Sequence, residues 1–118
     1  MEMTVEQLES GFDCVRLNGR LDLKRTQAID AQFAEATGDK GASVVVDLSE
    51  VSYIASIGIR MFLSNIKKLR AAGSKMVILK PQKMVEEVFK LAGVDSIIPI
   101  EHNEAAAVEI LQGPQAGN

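Results

Sequence analysis

One cysteine, one histidine, one tyrosine and no tryptophan in 118 residues leave several kinds of chemistry without material. The single thiol, Cys14, cannot close an intrachain disulfide, and no multi-cysteine metal site can be built. Cys14 lies in an apolar, strand-like run and reads as a buried, inert thiol. His102 has only Glu101 and Glu104 beside it, which is not a metal-ligand spacing, so it reads as an exposed loop histidine. The chain lacks Gly-x-Ser-x-Gly, Gly-x-x-x-x-Gly-Lys-[Ser/Thr] and Gly-x-Gly-x-x-Gly, and with them the usual hydrolase elbow and nucleotide cradles. With so few aromatic rings there is no stacking platform for single-stranded nucleic acid. No apolar run approaches the ~20 residues of a membrane span. Met1 to Glu6 lacks the basic and apolar regions of a signal peptide, so a cytoplasmic location is expected. No metal, cofactor or catalytic residue is expected.

The residues present describe a globular domain. Hydrophobic residues make up 47% and charged residues 25%, with a net charge of −3. That balance supports one core without staples, and the acidic surplus argues against nucleic acid as partner. Residues 1–112 are expected to form a single domain, with 113–118 a disordered polar tail.

Hydrophobic spacing gives the element order. Met3–Leu8 and Phe12–Leu17 read as strands of a hairpin joined through Glu9-Ser10-Gly11. Asn18 to Asp22 then leads into a helix over Leu23–Ala36, with Asp22 as N-cap and Thr26, Ile29, Phe33 and Ala36 at helical spacing. Val44–Leu48, with three consecutive valines, reads as a central strand buried on both faces. A helix over Ile57–Ala72 carries Ile59, Phe62, Leu63, Ile66 and Leu69 and stops at Gly73. Met76–Leu79 is a further strand. A third helix presents Met84, Val85, Val88, Phe89 and Ala92 on one face and ends at Gly93. Ile97–Ile100, with Pro99, reads as an edge strand. Asn103 caps a last helix facing inward with Ala107, Val108 and Leu111. The alternation of strands and helices implies parallel strands with right-handed crossovers after the hairpin.

The most informative run is Val44 to Arg60. A buried strand passes through a polar turn into an amphipathic helix, with Ser56 at the handover. Two readings are open. Ser56 can be an ordinary N-cap, or it can present a hydroxyl for phosphorylation where free amides and the helix dipole favour an anion. The outward face of that helix carries Arg60, Ser64, Lys67 and Lys68. This face is basic in an acidic chain, which suggests a docking surface for an acidic partner. Gly58 fits a helix start pressed against the sheet.

The run Val-Val-Val-Asp-Leu-Ser-Glu-Val-Ser-Tyr-Ile-Ala-Ser-Ile-Gly-Ile resembles the signature of the STAS family, the anti-sigma factor antagonists of bacteria. So do Gly19-Arg20-Leu21-Asp22, Gly73-Ser74-Lys75-Met76 and Val85 to Ile98 with Leu91-Ala92-Gly93-Val94, in order, over about residues 3–112. The resemblance implies an α/β fold: a small mixed sheet of four or five strands, the first two a hairpin and the rest largely parallel, with about four helices mainly on one side. It implies a binding module and not an enzyme. Its partner would be an anti-sigma factor that is itself a serine kinase, with a phosphatase reversing the modification, and the chain would be a monomer or weak dimer. By resemblance Ser56 falls on the phosphoacceptor, Asp22 on a family acid near the same end of the sheet, and Gly58 on the helix-start glycine. The partner surface would comprise Asp22, Ser56, Ile57, Gly58, Arg60, Ser64 and Lys67. Three positions depart from the family: Ala55 replaces an aspartate, Ile57 replaces a small polar residue, and Arg60 stands where a small residue is common. These departures fit an antagonist with an altered kinase partner. They also fit a STAS domain that binds without phosphorylation, for example on a transporter ATPase.

Overall fold

The computed structural model describes residues 2–114. Five strands form one sheet in the order β1-β2-β3-β4-β5. They are β1 (Glu2–Gln7), β2 (Asp13–Leu21), β3 (Val44–Ile54), β4 (Met76–Leu79) and β5 (Ile100–Glu101). β1 runs antiparallel to β2, and the remaining neighbours are parallel. The helices are α1 (Leu23–Ala36), α2 (Ser56–Ala71), α3 (Lys83–Leu91) and α4 (Glu104–Gln112), with a 3₁₀ turn at Val94–Ser96. The expected α/β class, hairpin and parallel remainder are present.

The two faces of the sheet are dressed differently. Val44, Val46 and Leu48 of β3 join Ile29 and Phe33 of α1, Phe62 and Leu69 of α2, and Val85 and Phe89 of α3 in one core. Val45 points the other way, with Cys14, Val77 and Leu79, against Ala107 and Leu111 of α4. The triple valine is therefore buried on both faces, because a period of two sends its members to opposite layers. Three helices lie on one face and α4 alone on the other. Phe62 bridges the larger layer, with its ring centroid 5.2 Å from Phe33 and 5.4 Å from Phe89, both edge to face.

Several boundaries differ from the sequence expectation. β2 does not end at Leu17 but continues through Asn18-Gly19-Arg20 to Leu21, with Gly19 at φ +114°. β3 does not turn at Leu48; it runs on to Ile54. Its pairing with β2 slips twice, between Arg16 and Asn18 and between Gly19 and Arg20 of β2. At the first slip the Asp47 carboxylate accepts the Ser49 amide at 2.8 Å and the Arg16 Nε–H at 3.1 Å. The side chain thus takes over a ladder bond that the bulge removes. Beyond it Ser49, Glu50 and Ser52 lie toward solvent while Val51 and Ile54 return to the core. Burial by itself would raise the Asp47 carboxyl; the Ser49 amide and the Arg16 guanidinium outweigh it and hold the group below the usual carboxylate value.

The edge strand is shorter than expected. Val94–Ser96 forms the 3₁₀ turn, Pro99 precedes β5, and its carbonyl accepts the Ile78 amide at 2.9 Å. Met84 is not part of the inward face of α3: it is 64% exposed. Ala92 lies past the helix end and is also exposed. α2 stops as expected, with the Gly73 and Ser74 amides donating to the Arg70 and Leu69 carbonyls and Gly73 at φ +78°. This is the Schellman pattern, which needs a left-handed residue past the helix end. Of the expected tail, residues 115–118 lie outside the described residues, while the Gly113 carbonyl accepts the Lys75 ammonium at 3.1 Å.

Candidate partner-binding site

β2 and β3 end together. Leu21 pairs with Ile54, and the Ala55 amide donates to the Leu21 carbonyl at 2.9 Å. α1 and α2 start from these two strand ends, so Asp22 and Ala55 hold equivalent places, each as the N-cap of its helix. In open parallel sheets the carboxyl ends of the strands are the habitual place for binding.

The two caps behave differently. Asp22 accepts the Arg25 amide at 2.9 Å and the Arg25 guanidinium at 3.0 Å. The bond from the Arg25 amide, helped by the nearby Arg25 and Arg20 charges against some desolvation, pulls its carboxyl below the ordinary value. Ala55 has no side chain to offer, and α2 has no acidic residue in its first turn. Only its carbonyl participates, accepting from Gly58 at 2.9 Å and Ile59 at 3.2 Å. The Ser56 and Ile57 amides find no acceptor among the described residues.

Ser56 is the first helical residue, not the cap, and it is exposed. The reading of Ser56 as an N-cap is therefore corrected: the cap position needs extended backbone, and Ala55 has it, at φ −95° and ψ 171°. Gly58 is buried, and a Cβ placed on it would lie 2.8 Å from Ile54 Cγ1 and 3.3 Å from Leu21 Cβ. The close approach expected of this glycine is present, and it fixes the start of α2 against the strand pair that carries it.

The remaining expected residues lie along α2. Ile57 is half-buried, and Arg60, Ser64 and Lys67 are exposed. Ile57, Arg60, Met61 and Ser64 line a groove of about 380 Å³, faced by Thr26, Gln27 and Asp30 of α1. Lys67 is three turns away from Ser56, roughly 16 Å along the axis, on the same outward side but beyond the groove. Asp22 sits at the same end of the sheet, yet its carboxylate is occupied by α1. The α1 half of the groove was not anticipated. Its only trace in the sequence is Thr26 at a core spacing; the residue is 1% exposed, and its hydroxyl has no hydrogen-bond partner among the described residues. Arg20 stacks over the Tyr53 ring at 4.3 Å near the end of the β2–β3 pair. That pairing follows from the second register slip and has no signal in either residue's neighbours.

The other expectations concern groups away from this end. Cys14 is fully buried, and desolvation pushes its thiol up to about 11. His102 is exposed and shares a hydrogen bond with Glu86 at 2.8 Å. A larger cavity, about 550 Å³, lies between the C-terminal end of α2 with the start of β4 on one side and the segment leading into β5, with Ile110 of α4, on the other. Both its cations are engaged: Arg70 donates to the Ile97 carbonyl and Lys75 to the Ile110 carbonyl, each at 3.0 Å. Among the described residues no cluster of three or more His, Cys, Asp or Glu could hold a metal ion, and no helix is long and apolar enough to cross a membrane.

The STAS domain model matches residues 5–107. BtrV of Bordetella bronchiseptica, named as an anti-sigma factor antagonist, is 32% identical over 108 residues, 91% of each chain. An anti-sigma factor antagonist from Mycobacterium paratuberculosis superposes with a TM-score of 0.82 at 20% identity, covering 95% of this chain and 94% of that one. The anti-sigma factor antagonist SpoIIAA in its unphosphorylated form superposes with a TM-score of 0.74 at 22% identity, covering 92% and 96%. The structural likenesses speak for the fold. The family match along nearly the whole sheet-and-helix unit, together with the relative of similar length, establishes that this chain belongs to the STAS domain family.

Proposed function

We propose that this chain is an anti-sigma factor antagonist that binds its anti-sigma factor through the end of the domain where β2 and β3 pass into α1 and α2. Relatives along the whole chain carry that name, and the chemistry of this end suits it. The observation that carries the reading is Ser56. Ser56, which by resemblance falls on the family's phosphoacceptor position, is exposed and lies at a helix start with no side-chain cap. The outward ridge of α2, with Arg60, Ser64, Lys67 and the half-buried Ile57, would supply the rest of the contact; Gly58, buried against Ile54 and Leu21, would act only by setting the start of α2, and Asp22 would hold the neighbouring helix start in place.

In this reading the partner is also the kinase. The Ser56 Oγ attacks the γ-phosphorus of ATP held by the anti-sigma factor. The bond to the bridging oxygen breaks, ADP leaves, and the hydroxyl proton passes to a base of the kinase. A phosphatase hydrolyses the ester and restores the serine. The phosphate adds about −1.5 to −2 charges. At a helix start with free amides this is tolerated within the chain. Inside an interface the same group must shed water against the partner surface, which separates the two affinities. Each tenfold of that separation is about 1.4 kcal/mol. The role is one of binding, in the bacterial cytoplasm, by a monomer or weak dimer.

Incubation with a candidate anti-sigma kinase and ATP, read by intact mass, tests the switch. One added phosphate that is lost in Ser56→Ala supports it; no addition, or an addition that survives Ser56→Ala, removes it. Ala55 and Ile57 support a second reading, a STAS module that docks on a transporter ATPase without phosphorylation. Direct binding measured against a purified anti-sigma factor and a purified transporter ATPase separates the two.

A further inference from the structure

Arg60 has no counter-ion among the described residues. It is exposed, and it takes part in no salt bridge among the described residues. Asp30 lines the same groove from α1, yet the two form no ion pair. Several surface cations are committed, Lys68 to Asp39 at 2.9 Å, Arg25 to Asp22 at 3.0 Å and Arg16 to Asp47 at 3.1 Å; Lys67, farther along α2 and outside the groove, shares with Arg60 the lack of an ion pair among the described residues. The groove also holds the partnerless Thr26 hydroxyl, buried to 1% exposure. It therefore contains two uncommitted hydrogen-bond donors and no acceptor bound to either.

Arg60 stands four residues after Ser56 in a continuous helix. Residues at this spacing are surface neighbours, about 5–6 Å apart at Cβ. Side chains on a helix lean toward its N-terminus, so a long residue at i+4 reaches back over the turn that holds residue i. A guanidinium presents a planar fork of donors that matches phosphate oxygens in pairs. Position 60 carries such a fork, one turn from the hydroxyl read as the phosphoacceptor.

We propose that Arg60 is the internal counter-ion of a phosphate carried on Ser56, so that modification adds an anion to the docking surface and withdraws its nearest cation in the same event. The proposal rests on the reading of Ser56 as phosphoacceptor and goes beyond it. The unmodified chain offers Arg60 to an acidic partner surface; the modified chain has folded that charge onto itself. The partner then loses an attractive contact as well as meeting a repulsive one.

The test needs no kinase. The chain is made with phosphoserine encoded at position 56, alone and with Arg60→Gln, and the second ionisation of the phosphate is followed by phosphorus NMR. The charged groups at this end are Arg60 on α2, Asp30 across the groove, Asp22 with Arg25 at the start of α1, and Arg20 near the end of β2. With Arg60 present the ionisation should fall lower than in R60Q by roughly half a unit. The Arg60 Nε–H resonance should move when phosphoserine replaces serine. Asp30→Asn, which removes the carboxylate across the groove, should deepen the difference. Equal ionisation in the two proteins, or an Arg60 resonance indifferent to the phosphate, would overturn the pairing. A negative kinase assay bears only on whether Ser56 is modified and leaves this measurement standing.

Discussion

α1 and α2 leave adjacent strands at the same end of the sheet, and their caps differ. α1 is closed by its own chain, because Asp22 satisfies the Arg25 amide and pairs with the Arg25 guanidinium. α2 begins on an alanine and has no side-chain cap; the first two amides of each helix, Leu23 and Lys24 in α1 and Ser56 and Ile57 in α2, have no partner among the described residues, and only those of α1 have a carboxylate beside them. Capping a helix start with a carboxylate or hydroxyl is a common source of stability, so the bare start of α2 forgoes something readily available. In compensation, α2 is held by packing: Gly58 lets the helix press onto Ile54 and Leu21. One helix start is fastened by a side-chain cap and the other by contact, and only the second leaves its first amides without a carboxylate of its own chain beside them.

Four substitutions sharpen or break this contrast. The largest effect is expected from Gly58→Ala. Its new Cβ would lie 2.8 Å from Ile54 Cγ1, a stem atom that cannot swing aside. Overpacking of this kind costs about 1–3 kcal/mol, partly offset by the better helix propensity of alanine, about 1 kcal/mol. Chemical denaturation should show net destabilisation; unchanged or raised stability would mean that packing does not fasten α2. Ala55→Asp supplies the missing cap and should stabilise the fold by about 1 kcal/mol. The same change should weaken partner binding if the free amides are used in the complex.

Asp22→Ala unfastens α1 and should lower the melting temperature at neutral pH. The effect should fade in acid. The Asp22 carboxyl is depressed in the fold, so its contribution is complete above the ordinary aspartate value of 3.8 and is lost as pH falls through the lower folded value. Below that range wild type and variant should melt together, while α2, with no acid in its first turn, contributes no matching change. Hydrogen exchange of the Arg25 amide follows the same loss residue by residue. The smallest effect belongs to Ser56→Ala. Because Ser56 caps nothing, stability should stay within about 0.5 kcal/mol; a loss near that of a true cap would return Ser56 to a structural role.

The sequence made some elements plain. α1 was legible to its last residue because Asp22 caps it and Thr26, Ile29 and Phe33 repeat at helical spacing. β4 was legible because four apolar residues lie between Gly73 and Pro81. β3 was not, because alternation is the signal for a strand and two register slips destroy it after Leu48. The polar run Ser49-Glu50 reads as a turn unless it is known that the Asp47 side chain repairs the ladder. Met84 looked inward because it shares spacing with Val85 and Val88, but a helix of nine residues has only a narrow buried stripe, Val85 and Phe89. At the site, the α2 residues were legible because they sit on one helix. The opposing wall of the groove, Thr26, Gln27 and Asp30, comes from a helix about thirty residues earlier, and only packing brings it there.

The irregular stretch of β3 has a mechanical consequence. Pairing with β4 stops at Asp47, whereas pairing with β2 continues to Ile54. From Val51 onward the sheet among the described residues is only β2 and β3 wide, β1 having ended opposite Asn18, and these two strands carry the starts of α1 and α2 past the level of β4 and β5. Ser56 therefore stands on a promontory. A cleft in another protein could admit it with little clearance, because the bulk of the domain is set back behind it, and shortening the overhang by excising one bulge would draw the serine back toward the body without altering any side chain at the site.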